Sequence, residues 1–175
     1  MRYVALLRGI NVGGKTMIKM EGLRALFESL GFENVTSYIN SGNLGFDSPS
    51  KSDTKLAKTI HDAIEKELGL NISIMVRSSA EVAEIVANNP YDGQFDNDKD
   101  VHVFFLASKL NEDQTAMLLE KNSDTEMITV DGRTVYYLLR ISIIDSVLGK
   151  GFLDKKLKVP ATARNWRTVK KLAEL

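Results

Sequence analysis

The sequence contains no cysteine, only two histidines, and no apolar run long enough to cross a membrane. The absence of cysteine excludes disulfides, thiolate nucleophiles and thiolate metal sites, and it is typical of proteins of the reducing cytosol. Two histidines argue against a histidine-based zinc site and against a His-dependent hydrolase. We therefore expect a cytoplasmic protein that does not enter the membrane and has no metal site.

An excess of charge of one sign is also missing, because 23 Lys and Arg residues balance 23 Asp and Glu residues. No global basic field is available to attract nucleic acid or an acidic membrane surface. The charges are nevertheless unevenly placed: residues 81–126 contain eleven acidic residues against three lysines, whereas residues 149–171 contain eight basic residues and Asp154 as their only acid. An anionic partner should therefore prefer the C-terminal segment.

The apolar pattern of the first half predicts alternating strands and helices. Residues 2–7 form a compact apolar run typical of a buried strand, and apolar residues from Met20 to Leu30 recur at helical spacing. The segments VTSYI and NLGF flank a short turn and predict a hairpin, and a second helix closes at Gly69 before the strand ISIMV. This order is the βαββαβ unit of ferredoxin-like folds.

The second half repeats this order in modified form. The strand VHVFFLA, a helix with Asn111 as N-cap, and a hairpin over EMITVDGRTVYYLL follow one another. C-terminal helices come next, the last predicted over residues 162–174 with Thr162 as N-cap. We see no residue-level repeat between the halves. The prediction is an α+β fold of two ferredoxin-like halves, residues 1–77 and 78–175, the second modified and ending in C-terminal helices.

Residues 9–16 match the phosphate-binding pattern G-x-x-x-x-G-K-[ST] letter for letter. P-loop folds place this loop on a parallel sheet, but the short gap between the next two strands makes them antiparallel. No acidic residue ends another predicted strand to help hold magnesium. One observation favours the match, because Met17 is in phase with Met20 and Phe27, which would start the helix near Lys15. The two failures outweigh it, and we interpret the match as accidental.

Two other interpretations of this loop stay open. In the first, the loop is only a connection, with Asn11, Gly13 and Gly14 adopting positive φ. In the second, it is an anion nest in which Arg8 and Lys15 flank a glycine pair whose N–H groups face outward ahead of a helix N-terminus. Such a nest binds phosphate or carboxylate without being a Walker motif.

Arg164 and Asn165 lie in the first turn of the predicted last helix, where Trp166 and Val169 face inward. A cation at this position opposes the helix dipole. The favoured interpretation is a packed terminal helix with a solvated basic stripe. The alternative, which would explain this placement, is a pairing of Arg164 with a carboxylate or a bound anion.

The segment SGN, Ser41 to Asn43, predicts a turn, and the alternative is that its side chains lie beside the first loop. It is not a G-x-S-x-G elbow, so Ser41 is not proposed as a nucleophile. His102 alternates with Val101 and Val103 on a predicted strand, and we expect it at the edge of the core rather than in the role of a base.

The segments RGINVGGK, TSYINSGN and TARNWRTVKKL resemble the signature segments of a bacterial family designated domain of unknown function sixteen ninety-seven. The resemblance runs along the whole chain, and its recurrent segments correspond to residues 8–14, 41–43 and 162–166. It implies an α+β fold of two related halves. It implies no established activity, substrate or catalytic residue.

Together these features predict that the protein binds a small anionic ligand, a nucleotide or a phosphorylated metabolite, where the RGINVGGK loop meets the RNW segment. The predicted ligand-binding residues are Arg8, Asn11, Gly13, Gly14, Lys15, Ser41, Asn43, Arg164 and Asn165. Whether the protein is an enzyme, and with which cofactor, is left open. The alternatives are a nucleic-acid-binding module that stacks bases on a ferredoxin-like sheet, and a protein-interaction domain.

Overall fold

The computed structural model describes all 175 residues. The strands are β1 (Arg2–Leu7), β2 (Glu33–Ser37), β3 (Asn43–Asp47), β4 (Ile74–Ser78), β5 (Val101–Leu106), β6 (Glu126–Asp131), β7 (Thr134–Leu139) and β8 (Ala161–Asn165). The helices are α1 (Met20–Ser29), α2 (Asp53–Leu68), α3 (Ser79–Ala87), α4 (Glu112–Leu119), α5 (Phe152–Lys155) and α6 (Trp166–Leu172). None of these helices combines the length and the apolar content that a membrane span requires.

The strands form two antiparallel sheets of four, ordered β2-β3-β1-β4 and β6-β7-β5-β8. We call β1 to β4 the first half and β5 to β8 the second half. In both halves the first strand lies between the third and the fourth, which is the ferredoxin-like arrangement. The second half is modified because a 3₁₀ turn and the short α5 replace the long α2. The predicted α+β fold of two ferredoxin-like halves with C-terminal helices is therefore confirmed.

Two compact units can be distinguished in the chain. The first unit comprises residues 1–84 and 171–175, and the second unit comprises residues 85–170. The boundaries of the units do not coincide with the ends of elements, because residues of α3 and of α6 are divided between the two units. The domain boundary predicted between residues 77 and 78 stays a prediction.

The core of the first unit lies between its sheet and helices α1 and α2. Alternate residues of β1, Tyr3, Ala5 and Leu7, point to this side, as the two-residue period of a strand requires. The ring of Phe46 packs edge-on against Phe27, with centroids 5.5 Å apart. The fully buried members of this core are Ala5, Leu7, Ile10, Leu23, Phe27, Leu44, Phe46, Ile60 and Ile64.

Helix α2 ends where its sequence predicts. Gly69 adopts the left-handed conformation with φ 66°, and its N–H donates to Glu65 O at 2.9 Å. At the other end, the Ser52 side chain accepts a hydrogen bond from Lys55 N–H. The sharp stop at Gly69 directs residues 70–73 back toward the sheet, beside the end of β1.

The core of the second unit has the same layout. Phe104 and Leu106 of β5 pack with Tyr137 of β7. The Tyr137 hydroxyl donates to the buried carboxylate of Glu126, which also accepts from Val147 N–H at 2.7 Å. This pair of hydrogen bonds fastens the segment after β7 to the sheet. The predicted N-cap Asn111 is confirmed and forms a complete capping box at the start of α4.

The start of the last helix is wrong in the sequence prediction. Ala161–Asn165 is strand β8, which pairs with β5, and α6 begins only at Trp166. The N-cap is not Thr162, because the Asn165 side chain accepts from Thr168 N–H at 3.0 Å. These five residues show no strong alternation of apolar and polar side chains, so their sequence does not predict a strand. They form one because they pair with β5.

The last strands of the two halves also correspond residue by residue, which the sequence had not shown. Arg77 on β4 and Arg164 on β8 each lie opposite the third residue of the first strand of their half. Both are buried. Each is followed by a capping residue, Ser78 or Asn165. The side chain of this residue accepts a hydrogen bond from the backbone N–H three residues later. The halves thus share a common ending: arginine, cap and helix.

Candidate functional site

The connection between β1 and α1, which carries RGINVGGK, folds as a small β-hairpin. Lys15 N–H donates to Val12 O at 3.0 Å, and the two residues form an antiparallel bridge. Gly13 and Gly14 between them have φ angles of 59° and 72°. Positive φ at both central residues is what a type I′ turn requires. The positive φ predicted for this glycine pair is confirmed, and the turn explains it.

Asn11 fastens the base of this hairpin. Its backbone adopts φ 54°, and its N–H donates to Thr16 O at 3.0 Å. Its side-chain Nδ2 donates to Ile18 O at 2.9 Å and to Asn40 O at 2.6 Å, while Oδ1 accepts from Ile18 N–H at 2.7 Å. Both amide hydrogens of Asn11 are therefore used within the protein. The assignment of Asn11 as a ligand-binding residue stays a prediction, and the geometry gives it a structural role.

The hairpin lacks two features of a phosphate-binding loop. The suggested helix start near Lys15 is wrong, because α1 begins at Met20 with Lys19 as N-cap. The positive end of the helix dipole is thus several residues beyond the glycines. The N–H of Lys15 is used by the hairpin, so it cannot join the N–H groups of Gly13 and Gly14 in binding an anion. Their assignment as ligand-binding residues stays a prediction.

The SGN segment forms the predicted turn between β2 and β3. Asn43 is fully buried, and its Nδ2 donates to Tyr38 O at 3.1 Å and to Ser41 Oγ at 3.0 Å. Gly42 accepts from Leu7 N–H at 2.8 Å, and a Cβ at Gly42 would lie 2.7 Å from Leu7 Cβ. The segment therefore holds the end of β1. The geometry gives Asn43 a structural role, and the assignment of Ser41 and Asn43 as ligand-binding residues stays a prediction.

A cleft lies beside Arg8 in the first unit, and we call it the Arg8 cleft. It has a volume of about 360 Å³ and is lined by Arg8, Gly9, Thr16, Leu70, Asn71, Ile72 and Ser73. Arg8 N–H donates to Ser73 O at 3.0 Å, which continues the pairing of β1 with β4 beyond its last residue. Arg8 is the only charged residue of the lining.

Arg164 in the second unit is a buried strand residue. Its Nη1 donates to Thr162 Oγ1 at 2.8 Å and to Ala163 O at 2.9 Å. Burial lowers the pKa of Arg164 to about 10, so its guanidinium remains cationic at neutral pH. Arg164 is not in a helix, so the helix dipole gives no reason for it to pair with an anion. Its contact with an anion stays a prediction.

A cavity of about 680 Å³ lies in the second unit, and we call it the His102 cavity. Its lining residues are Lys99, Asp100, His102, Leu139, Arg140, Ile141, Ser142, Ile143 and Asn165. This volume is within the range of small-molecule sites, about 300–1,000 Å³. Of the residues predicted to bind ligand, it contains Asn165.

Two neighbouring side chains give this cavity its hydrogen-bonding character. His102 and Asn165 are directly paired across β5 and β8, so their side chains emerge side by side on one face of the sheet. Asn165 Oδ1 already caps α6 by accepting from Thr168 N–H. The Nδ2 hydrogens of Asn165 are thus left for a ligand.

His102 lines the cavity, although the sequence predicted it only at the edge of the core. Its Nδ1 is buried without a hydrogen-bond partner while its ring lines the cavity, so Nε2 is the nitrogen it presents to a ligand. Burial lowers the pKa of His102, and the Asp100 carboxylate partly offsets this effect. The ring is therefore neutral at pH 7. Its position at the edge of the core was predicted; the cavity beside it depends on residues distant in sequence.

One group of histidine and carboxylate side chains has the spacing of a metal site. His61, Asp62 and Glu65 on α2 offer atoms within 4.8 Å of one another. Asp62 is exposed and pairs with Lys58 at 2.5 Å, and His61 Nδ1 hydrogen-bonds to Ile72 O at 2.8 Å. These contacts account for the group as part of a solvated helix face.

Comparison with known proteins places the chain among bacterial relatives. It is similar to the conserved bacterial protein SP0830 from Streptococcus pneumoniae, with 26% identity and a TM-score of 0.79 over 99% of this chain and 97% of that chain. No curated protein matches it. A family model described as "Protein of unknown function (DUF1697)" matches residues 1–136 of the 175. The family resemblance seen in the sequence is thus confirmed, and the chain belongs to the DUF1697 family.

Proposed function

We propose that the protein binds a small anionic ligand, a carboxylated or phosphorylated metabolite, in the His102 cavity. The observation that carries this proposal is the pairing of His102 with Asn165 at the cavity wall. Asn165 has its oxygen committed to the helix cap, so it can meet a ligand only as a donor. The proposal keeps a small anionic ligand and the RNW segment from the sequence prediction. It differs in including carboxylated metabolites, in leaving out the RGINVGGK loop and in assigning the contact to Asn165.

The imidazole of His102 acts as a second donor in this proposal. A buried N–H without an acceptor costs more than a buried lone pair without a donor, so the neutral ring carries its proton on Nε2. The Nε2–H group then lies next to the amide of Asn165. Two donors at adjacent positions suit the two oxygens of a carboxylate or two oxygens of a phosphate.

Charge supports the same ligand class. Lys99 and Arg140 line the cavity against one carboxylate, that of Asp100. Arg140 is held by a hydrogen bond from Nη2 to Gln94 O at 2.9 Å. Hydrogen bonds between a cationic donor and an anion are about twice as strong as neutral ones. The cavity thus offers a net positive lining, and Ile141 adds an apolar surface for the remainder of the ligand.

The test is a thermal-shift screen of carboxylated and phosphorylated metabolites, followed by variants of Asn165 and Arg140. Asn165→Asp keeps an oxygen for the helix cap but replaces the amide donors with a negative charge, so the fold should persist and ligand stabilisation should vanish. Arg140→Gln should weaken binding by about tenfold or more, as expected for a charged hydrogen bond. Arg167→Gln, an exposed position on α6 outside the cavity, is the control and should bind normally. A panel without any stabilising anion would contradict the proposal.

The nucleic-acid alternative requires exposed aromatic residues on a sheet face. The strand aromatics Tyr3, Phe46, Phe104, Phe105, Tyr136 and Tyr137 are all buried. Base stacking on either sheet therefore has no platform, and salt-dependent retention of RNA would be needed to revive this alternative. For the protein-interaction alternative, the exposed Val12, Met17 and Ile39 provide apolar surface in the first unit.

A further inference from the structure

We propose that a groove on the first unit is a self-association surface, through which two copies of this chain form a symmetric dimer. The groove lies along α1 and the C-terminal end of α2, and its volume is about 930 Å³. Its lining residues fall between positions 17 and 29 and between positions 67 and 70, and we call it the α1–α2 groove. It shares no residue with the His102 cavity and goes beyond the proposed function.

The groove exposes apolar side chains that the fold of one chain does not cover. Met17, before α1, is 66% exposed, and Leu68, the last residue of α2, is 45% exposed. Large apolar side chains gathered on one surface mark interaction sites, whereas scattered ones are normal. The lining also includes Gly22 and Ala25, whose short side chains leave a hollow. One copy therefore offers both protruding apolar side chains and a hollow that can receive those of another copy.

The charged residues of the lining favour a second copy as the occupant. They are Lys19 and Glu67, one of each sign, and both are exposed. In a symmetric dimer, any contact between two different residues occurs twice, with the roles of the two copies exchanged. Lys19 of one copy can therefore pair with Glu67 of the partner subunit, and the reciprocal pair forms at the same time. An occupant of a single charge sign would instead be repelled by one of the two side chains.

Competing interactions of these charges are weak. Glu67 lies 3.9 Å from Lys66 Nζ within its own chain, but both side chains are more than half exposed. Exposed ion pairs of this kind contribute little, so this one does not hold Glu67 away from a partner. The chain as a whole has a formal net charge of zero at pH 7. Two copies can therefore approach each other without long-range repulsion.

The size of the groove indicates a weak dimer. A standard protein–protein interface uses about 20–30 residues on each side, whereas ten residues line the α1–α2 groove. We therefore expect a dissociation constant on the order of 100 µM. The chain should be monomeric when dilute and dimeric when concentrated.

The experiment is analytical ultracentrifugation of the full chain at concentrations from about 5 µM to about 1 mM, a range that brackets the expected dissociation constant. The sedimentation coefficient should rise with concentration toward that of a dimer. Leu68→Ser should weaken dimerisation by at least about tenfold, because an apolar side chain is lost from both copies. Met117→Ser is the matched control: Met117 is also 45% exposed but lies on α4 in the second unit, and this variant should dimerise normally.

Charge reversal tests the symmetry of the contact. Lys19→Glu and Glu67→Lys, each studied alone, should place like charges opposite each other twice and weaken dimerisation. An equimolar mixture of these two variants should dimerise again, because every pair formed between them joins opposite charges. Lys55→Glu makes the same charge change at the other end of α2, outside the groove, and should dimerise as the unmodified protein does.

Three results would overturn the proposal. A chain that stays monomeric at about 1 mM would leave the groove to a different occupant. Unchanged dimerisation of Leu68→Ser would show that the dimer uses another surface. A mixture of Lys19→Glu and Glu67→Lys that fails to dimerise would contradict the reciprocal pairing. Met17→Ser, at a more exposed position than Leu68, is a second groove variant and keeps the test decisive if Leu68→Ser folds poorly.

Discussion

The two halves have the same strand order but differ in the connection that follows their first strand. In the first half, residues 8–19 form an ordered hairpin between β1 and α1, whereas residues 107–111 join β5 to α4 directly. In the first half, the polar residues predicted to bind a ligand therefore lie mainly on a connection. In the second half, polar residues at strand ends surround the His102 cavity. A shared topology therefore leaves the location of a binding site undetermined.

A second contrast lies at the residue that caps the helix after the last strand. Ser78 in the first half caps with its only side-chain oxygen. Asn165 in the second half caps with its oxygen and retains an amide group. Equivalent positions thus perform the same structural task, but only the asparagine has donors left for a ligand.

The centre of each sheet shows a further difference, and its test has the largest expected effect on stability. Phe46 and Tyr137 occupy equivalent positions opposite Tyr3 and His102, but only Tyr137 carries a hydroxyl, which donates to Glu126. Tyr137→Phe makes the second half resemble the first and removes a charge-assisted hydrogen bond. The free energy of unfolding, measured with urea, should fall by about 1–3 kcal/mol.

The matched control for this change is Tyr136→Phe. Tyr136 is equally buried, but its hydroxyl donates to a neutral acceptor, Ile85 O, at 2.9 Å. The free energy of unfolding of this variant should fall by less, about 0.5–1.5 kcal/mol. Equal losses would show that the hydrogen bond to the Glu126 carboxylate is no stronger than the one to the Ile85 carbonyl. The Tyr137 hydroxyl would then not distinguish the stability of the two halves.

The hairpin of the first half is tested by a pair of glycine substitutions with opposite expected signs. Gly14 has φ 72° and open space around its Cα, so Gly14→Ala should cost about 1 kcal/mol through backbone strain alone. Gly22 lies within α1, also with open space, and Gly22→Ala should stabilise by about 1 kcal/mol. Chemical denaturation measures both. A neutral Gly14→Ala would contradict the type I′ hairpin.

The smallest expected effect is a pH dependence that comes from His102 in the second half. Its folded-state pKa is lowered by burial, so the unfolded chain binds this proton more readily. The contribution of the neutral ring to stability is therefore fully present above about pH 6.5, the unfolded value, and is lost as the pH falls below it. His102→Gln should lose less stability than the unmodified protein between pH 7.5 and pH 5.5, and an equal loss would place the ring in solvent.

Much of the fold could be predicted from local signals. Residues 2–7, the end of α2 at Gly69 and the cap Asn111 each follow from an apolar run, a left-handed glycine or a capping side chain, all of which act within a few residues. Strand β8 could not be predicted, because its five residues become a strand only by pairing with β5.

The candidate sites were less predictable than the fold. Arg8 and Asn165 belong to motifs that the sequence singled out, and they line the cleft and the cavity respectively. The glycine pair suggested an anion nest, but a type I′ turn needs the same residues. His102 gave no signal beyond its alternation with valines, because the cavity it lines is assembled from segments near residues 100, 140 and 165.

An imidazole ¹⁵N–¹H NMR spectrum, in which the two histidines serve as a matched pair, can decide whether His102 lines an anion site. His61 must carry its proton on Nδ1 when neutral, because that nitrogen contacts the carbonyl of Ile72, which only accepts. For His102 we predict the opposite tautomer, Nε2–H. Addition of the stabilising anion should move the His102 resonance and leave that of His61 in place. An Nδ1–H tautomer at His102, or a His102 signal that ignores the anion, would contradict the proposed cavity.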